Sequence, residues 1–248
     1  MQDTALDKIK IVLVGTTHPG NIGAAARAMK TMGLTKLALV SPKQYPCAEA
    51  TARAAGADDI LARTIVYDSL QEAVSECVMV YGTSARIRNL SCPILTPEQS
   101  ARELLRVSPQ QSANVAIIFG RERTGLTNEE LDICHKMIVI PSNPEFSSLN
   151  LAAAVQIMCY ELCKTVNAGA ETDGELLTGK GMVSTQDLDH LYAHLREVMI
   201  QIKFLDTKKP RRLMRRLKLL FNRAGLDENE YNILRGILTA VQESLRKK

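Results

Sequence analysis

With 248 residues, 46% of them hydrophobic, the chain can bury a sizeable core as one large domain or as one domain with an appendage. Its six scattered cysteines (Cys47, Cys77, Cys92, Cys134, Cys159, Cys163) argue against a disulfide scaffold, and no apolar run reaches the roughly 20 residues of a membrane span. The net charge of +4 is unevenly spread: residues 203–248 hold thirteen Lys/Arg against five Asp/Glu, leaving eighteen against twenty-two before them, which points to a polyanionic partner such as nucleic acid.

From residue 9 onward, short β-branched runs alternate with helical patterns, the signature of crossover units and a mainly parallel sheet. The runs predict strands at Ile9–Val14, Lys36–Val40, Thr64–Tyr67, Cys77–Gly82, Asn114–Gly120 and Lys136–Ile140. Helices are expected near Asn21–Met32, Ala48–Ala55, Leu70–Ser75, Pro97–Val107 and Thr127–Cys134, the last opened by a Thr127/Glu130 capping box. A further helix over Leu149–Val166 is apolar at nearly every position, so it is expected to be buried or covered by a partner subunit.

Residues 167–183 are Gly-, Thr- and acid-rich without periodicity and read as a flexible linker, so the division is a body at 1–166 and a helical extension at 184–248. In the extension, Leu188, Leu191, Leu195, Val198 and Ile202 mark one helix. Pro210 starts a second, which sets Leu213, Met214, Leu217, Leu220 and Phe221 against Arg211, Arg212, Arg215, Arg216 and Lys218. Asp227 and Glu230 cap a third. The five cations are the candidate contacts to RNA phosphates, and aromatics at 4% with no Trp make extensive base stacking a poor fit. Cys159/Cys163 and His190/His194 stand one helical turn apart, but without a Cys-x-x-Cys pair they define no metal site.

Three segments carry chemistry. His18-Pro19-Gly20-Asn21-Ile22-Gly23 through Arg27 lies where the first strand turns into a helix, a place suited to an anion, but it lacks the G-x-G-x-x-G dinucleotide spacing and the Gly-Lys-Ser/Thr ending of a P-loop. Phe119-Gly120-Arg121-Glu122-Arg123-Thr124-Gly125-Leu126 brings glycines and a carboxylate out of a buried strand. Ile140 through Leu151 places Ser147 and Ser148 at a helix start, where capping by either serine is the plain structural explanation. Glu122, for its part, could pair with a neighbouring arginine and merely stiffen its loop.

Taken together and in this order, the segments resemble the three motifs of the SPOUT family of RNA methyltransferases, in the branch that methylates tRNA and rRNA ribose 2′-hydroxyls; the resemblance spans residues 8–166. It implies a SPOUT α/β fold: a trefoil-knotted, mainly parallel sheet with flanking helices, the knot at roughly 115–166, to which a small all-helical domain is added, working as a homodimer. It implies S-adenosylmethionine as cofactor, held by Thr83, Ser84, Ala85, Gly120, Ile140, Ser147, Ser148 and Leu149. Catalysis would fall to Arg27, Asn21 and Glu122. Arg27 would hold phosphate and developing alkoxide charge, Asn21 would orient the ribose or Arg27, and Glu122 would position Arg27 or accept the proton. The implied substrate is tRNA, at the anticodon-loop cytidine or uridine numbered 32, with another tRNA or rRNA site as the alternative. A partner of DNA or membrane is not expected. A nucleotide-dependent dehydrogenase and a non-enzymatic RNA-binding module are the rival classes; the first lacks its glycine spacing and has Val40-Ser41-Pro42 where a ribose-binding acid should stand.

Overall fold

The computed structural model describes residues 5–85, 92–110, 114–168, 181–205 and 211–246. Behind a 3₁₀ turn at Ala5–Lys8, the elements run β1 (Ile9–Val14), α1 (Pro19–Thr31), β2 (Lys36–Val40), α2 (Ala48–Ala54), α3 (Asp58–Arg63), β3 (Ile65–Tyr67), α4 (Leu70–Val74) and β4 (Cys77–Thr83). They continue as β5 (Ile94–Leu95), α5 (Pro97–Gln110), β6 (Asn114–Phe119), α6 (Asn128–Leu131), β7 (Lys136–Ile138), α7 (Leu151–Asn167), α8 (Thr185–Gln201), α9 (Arg211–Ala224) and α10 (Glu228–Arg246). The expected strands are present to within two residues at each end. Two elements lay outside the sequence reading: α3, and β5, which is only two residues long and bounded by Pro93 and Pro97.

The seven strands form one sheet in the order β3-β2-β1-β6-β4-β7-β5, and every pairing is parallel. Alternation along the pleat sorts the side chains into two cores. Ile9, Ile11, Leu13, Ile117 and Phe119 face α1, α2, α3, α5 and α7, whereas Val12, Val14, Ala116 and Ile118 face α4 and α6. Both faces are therefore covered, and β1 and β6 read as continuous apolar runs for that reason. Since β6 lies between β1 and β4, the ends of β1, β4, β6 and β7 all open onto one edge of the sheet.

Helix α7 starts two residues later than its apolar pattern suggests, because Asn150 is the cap: its side chain accepts from the amides of Ala152 and Ala153 at 2.9 and 3.3 Å. Ser147 and Ser148 are thereby released from capping. Along α7, Val155, Met158, Cys159 and Leu162 are buried, while Tyr160 and Val166 are exposed. Helix α6 is shorter than its pattern, since the chain beyond it is captured by the sheet, His135 N–H bonding the Val80 carbonyl at 2.8 Å. Its capping box is present as expected, with Thr127 and Glu130 each accepting from the other's amide.

Helices α8, α9 and α10 share a core of their own built on Leu188, Leu191, Tyr192, Leu226 and Leu238. This bundle rests on the body. Thr185 Oγ1 donates to the Cys77 carbonyl at 2.7 Å, and Arg215 Nε meets Asp132 Oδ1 at the same distance. The central part of the expected linker, 169–180, lies outside the described residues, as does Pro210. Among the described residues, no helix is long and apolar enough to cross a membrane.

Candidate active site

At the edge where the parallel strands end, three loops enclose a cavity of about 430 Å³, in the size range of small-molecule and cofactor sites. Its walls include all eight residues expected to hold a cofactor: Thr83, Ser84 and Ala85 behind β4, Gly120 behind β6, and Ile140, Ser147, Ser148 and Leu149 behind β7. Ile138 and Leu151 add apolar wall.

Each loop has a local reason for its shape. Behind β6 the chain closes a tight loop, with Arg121 and Gly125 exchanging amide-to-carbonyl bonds at 3.2 and 2.9 Å. A β-carbon on Gly120 would come within 2.2 Å of the Gly125 backbone, so no other residue fits there without displacing the loop. Arg121 is fixed by a two-pronged pair with Glu130, both contacts at 3.0 Å, which joins the loop to the start of α6. Behind β7, Asn143 Oδ1 accepts from Glu145 N–H at 3.0 Å and Ser142 Oγ donates to the Ser147 carbonyl at 3.2 Å; these bonds fold the loop so that both serines reach the cavity. Thr83 Oγ1 donates to the Ile118 carbonyl at 2.9 Å, tying the end of β4 to β6.

Glu122, the carboxylate in the cavity wall, is the hub of the site. Its carboxylate accepts from Thr17 N–H (3.1 Å) and Oγ1 (2.8 Å), His18 N–H (3.1 Å) and Asn21 Nδ2 (3.0 Å). Partial burial opposes its ionisation, but the bonds from Asn21 and Thr17 outweigh that and bring its pKa to about 2. The sequence reading gave Glu122 the tasks of positioning Arg27, pairing with a nearby arginine or taking up a proton. The structure pairs it with none of Arg27, Arg121 or Arg123, and so low a pKa makes it a poor base. What it does hold is the turn into α1.

Asn21 extends this hub. Its Oδ1 accepts from Asn150 Nδ2 at 3.0 Å while its Nδ2 donates to Glu122, so one amide ties the start of α1 to two segments that lie 101 and 129 residues further along the chain. Within the Ile140–Leu151 segment nothing in the sequence singles out Asn150, whose role rests on this contact with a residue 129 positions away. Arg27 stands apart from this network. It is exposed on α1, is absent from the cavity walls, and makes no ion pair among the described residues.

Of the five candidate RNA contacts, Arg216 is exposed, whereas Arg215 and Lys218 are half-buried and paired. Arg215 binds Asp132, and Lys218 lies 3.5 Å from Asp189 and 5.1 Å above the Tyr192 ring. Both therefore tie α9 to its neighbours through ion pairs, while their side chains stay partly exposed. Arg211 and Arg212 begin α9, but their side chains lie outside the described residues.

Comparison with known proteins places the geometry in context. Residues 8–160 match the SpoU rRNA Methylase family, and residues 186–248 match the C-terminal domain of the tRNA methyltransferase TrmJ. The chain is 49% identical over 248 residues to the tRNA (cytidine/uridine/adenosine-2′-O-)-methyltransferase TrmJ of Pseudomonas aeruginosa, covering 97% of this chain and 96% of that one. It is 45% identical over 247 residues to the tRNA (cytidine/uridine-2′-O-)-methyltransferase TrmJ of Cronobacter sakazakii, covering 98% and 99%. The crystal structure of TrmJ from Z. mobilis superposes with a TM-score of 0.81 at 33% identity, covering 94% of this chain and 98% of that chain.

Proposed function

The chain belongs to the SpoU methylase family, and on that premise we propose that it transfers a methyl group from S-adenosylmethionine to the ribose 2′-hydroxyl of a tRNA anticodon-loop cytidine or uridine, at position 32. The observation that carries the proposal is the convergence of Thr83, Gly120, Ile140 and Ser147, from three separate loops, on one cavity beside Glu122 and Asn21. The cavity suits this cofactor: Ile138, Ile140, Leu149 and Leu151 offer apolar wall for a purine, while Ser147 and Ser148 offer hydroxyls for its polar end. Bound there, S-adenosylmethionine supplies a methyl group already activated by its sulfonium.

The protein's own task is then to align a ribose oxygen and stabilise the charge that develops on it. Asn21 is suited to alignment. With one amide hydrogen committed to Glu122 and one lone pair to Asn150, it keeps one donor and one acceptor site for substrate, and its plane is fixed by both neighbours. The Arg27 guanidinium carries five N–H donors and no acceptor, so it serves phosphate or alkoxide as a cation rather than as a base. Glu122 acts as an organiser that holds the 17–21 turn in place.

We extend the proposal to organisation. The body at 1–166 is the methyltransferase domain with the family's trefoil knot, 167–183 is a linker, and 184–248 is the tRNA-binding extension; the protein is cytoplasmic. Two copies pair, supported by Tyr160 and Val166 on the open side of α7 and by Phe146 and Leu149 beside the cavity, all exposed. Nucleoside mass spectrometry of tRNA treated with and without the protein tests the activity. A 2′-O-methylated nucleoside gained at position 32 is expected, whereas a gain only at another site would overturn the position, and none at all the reaction. Equilibrium dialysis should show S-adenosylmethionine bound without RNA, and binding of NAD instead would favour a dehydrogenase.

A further inference from the structure

The helical extension meets the body beside α6, the short helix whose first turn is tied to the cavity. On one side, Glu130 holds Arg121 of the cavity wall through two contacts of 3.0 Å. On the other, Asp132 takes Arg215 Nε on its carboxylate at 2.7 Å and Asn222 Nδ2 on its carbonyl at 3.3 Å. Asn222 is itself 7% exposed and fixed by the Tyr192 hydroxyl at 2.6 Å, so the contact reaches through α9 into α8. Asp132, the residue that ends α6, stands two residues beyond Glu130, and the helix is held by its capping box and by buried Leu131. There is little slack between them.

Resting on the reading of this chain as a tRNA methyltransferase, we propose that Asp132 is a positioning residue that sets α9, and the tRNA backbone lying on it, in register with the methyl-donor cavity. Arg215 engages Asp132 through Nε alone among the described contacts, which leaves its two terminal amino groups to face a phosphate. Asp132 thus aims a guanidinium as well as anchoring a helix. This role makes a prediction of opposite sign to simple electrostatics. An acidic side chain next to a polyanion costs affinity, so its removal should tighten tRNA binding if it does nothing else. If it sets the register, its removal should slow the reaction even though binding is no weaker.

The experiment uses the full chain carrying D132A, with D132N as a milder variant that keeps an acceptor oxygen for Arg215. Affinity for S-adenosylmethionine without tRNA is measured by calorimetry, and tRNA Kd and single-turnover kcat at fixed salt. Expected for D132A are unchanged cofactor affinity, a tRNA Kd equal to or tighter than wild type, and a kcat lower by about 10- to 100-fold, the scale of a misplaced reactant. D132N should fall between the two, and its readouts decide if D132A does not fold. A kcat equal to wild type would overturn the proposal. So would a joint fall of kcat and cofactor affinity in both variants, because the aspartate would then merely stabilise the cavity loop. An inactive wild-type chain would instead sink the methyltransferase reading itself.

Discussion

Glu122 offers the sharpest test of how this site works, because organiser and proton acceptor respond differently to the same substitution. In E122Q the amide oxygen can occupy the Oε1 position and keep the bonds from Thr17 N–H, His18 N–H and Asn21 Nδ2. Its amino group then faces Thr17 Oγ1, a hydroxyl able to accept, while Thr17 N–H, shared between both carboxylate oxygens, keeps only its contact at the Oε1 position. What is lost is the charge that strengthens these bonds, about 1 kcal/mol of stability once the partial exposure of the site is allowed for. E122A leaves four donors without their acceptor. Buried, each would cost about 1–3 kcal/mol, but water reaches part of this wall, so a total of about 2–3 kcal/mol is expected. The folded pKa of about 2 lies below that of a free carboxylate, so the stabilisation is complete above about pH 4.5 and is lost as pH falls through 2. Urea unfolding gives the stabilities, and single-turnover methylation from pH 5 to 9 gives the rates. E122Q should retain at least about a tenth of wild-type kcat with an unshifted acid limb, since general-base catalysis is worth about 100-fold or more. Near-complete loss of turnover in an E122Q protein that unfolds like wild type would refute the organiser role.

Other substitutions probe other parts of the design. G120A forces a methyl group to within 2.2 Å of the Gly125 backbone, so a loss of about 1–3 kcal/mol in urea unfolding and of S-adenosylmethionine binding is expected. R27A should abolish methyl transfer while calorimetry shows cofactor affinity largely kept, because Arg27 is not in the cavity wall. R216E, altering an exposed cation on α9, should weaken tRNA binding and flatten its dependence on salt, read by filter binding across a salt series. His135 is fully buried with Nδ1 accepting from Val80 N–H; burial first, and then the charge of Lys136, lower its pKa to about 4. The unfolded chain binds the proton first, so stability is complete above about pH 6.5 and declines toward pH 4, by on the order of 3 kcal/mol; H135Q should show a flatter urea midpoint over that range.

Much of this fold is legible in the chain because it rests on local rules. The apolar runs of β1 and β6 announce strands covered on both faces, and Thr127 with Glu130 announces the start of α6. The eight cofactor residues are nominated by the resemblance of their segments to the SPOUT motifs, and parallel strands bring those segments together by delivering their following loops to one edge. Other features depend on which distant residues meet. Ile94–Leu95 becomes a strand only because β7 presents an edge to it, and two residues leave no periodic trace. Glu122 finds Thr17 and Asn21 rather than an arginine because β6 lies directly beside β1, an order that spacing does not encode. Likewise, the arginines of α9 look equivalent on a helical wheel until Asp132 selects one of them.

The bridge from Glu122 through Asn21 to Asn150 has a bearing on how the protein is made. Its three members, and the last cavity wall at Leu151 and Ala154, come from the beginning, middle and far end of the body. A ribosome that has delivered β1, β4 and β6 has produced most of the sheet but no closed receptacle, since the final side arrives only with the polypeptide beyond Ile140. Contacts of such long sequence separation form slowly. Affinity for the methyl donor should therefore switch on late and all at once during synthesis, which makes ligand capture by stalled nascent chains of increasing length a direct reporter of when folding finishes.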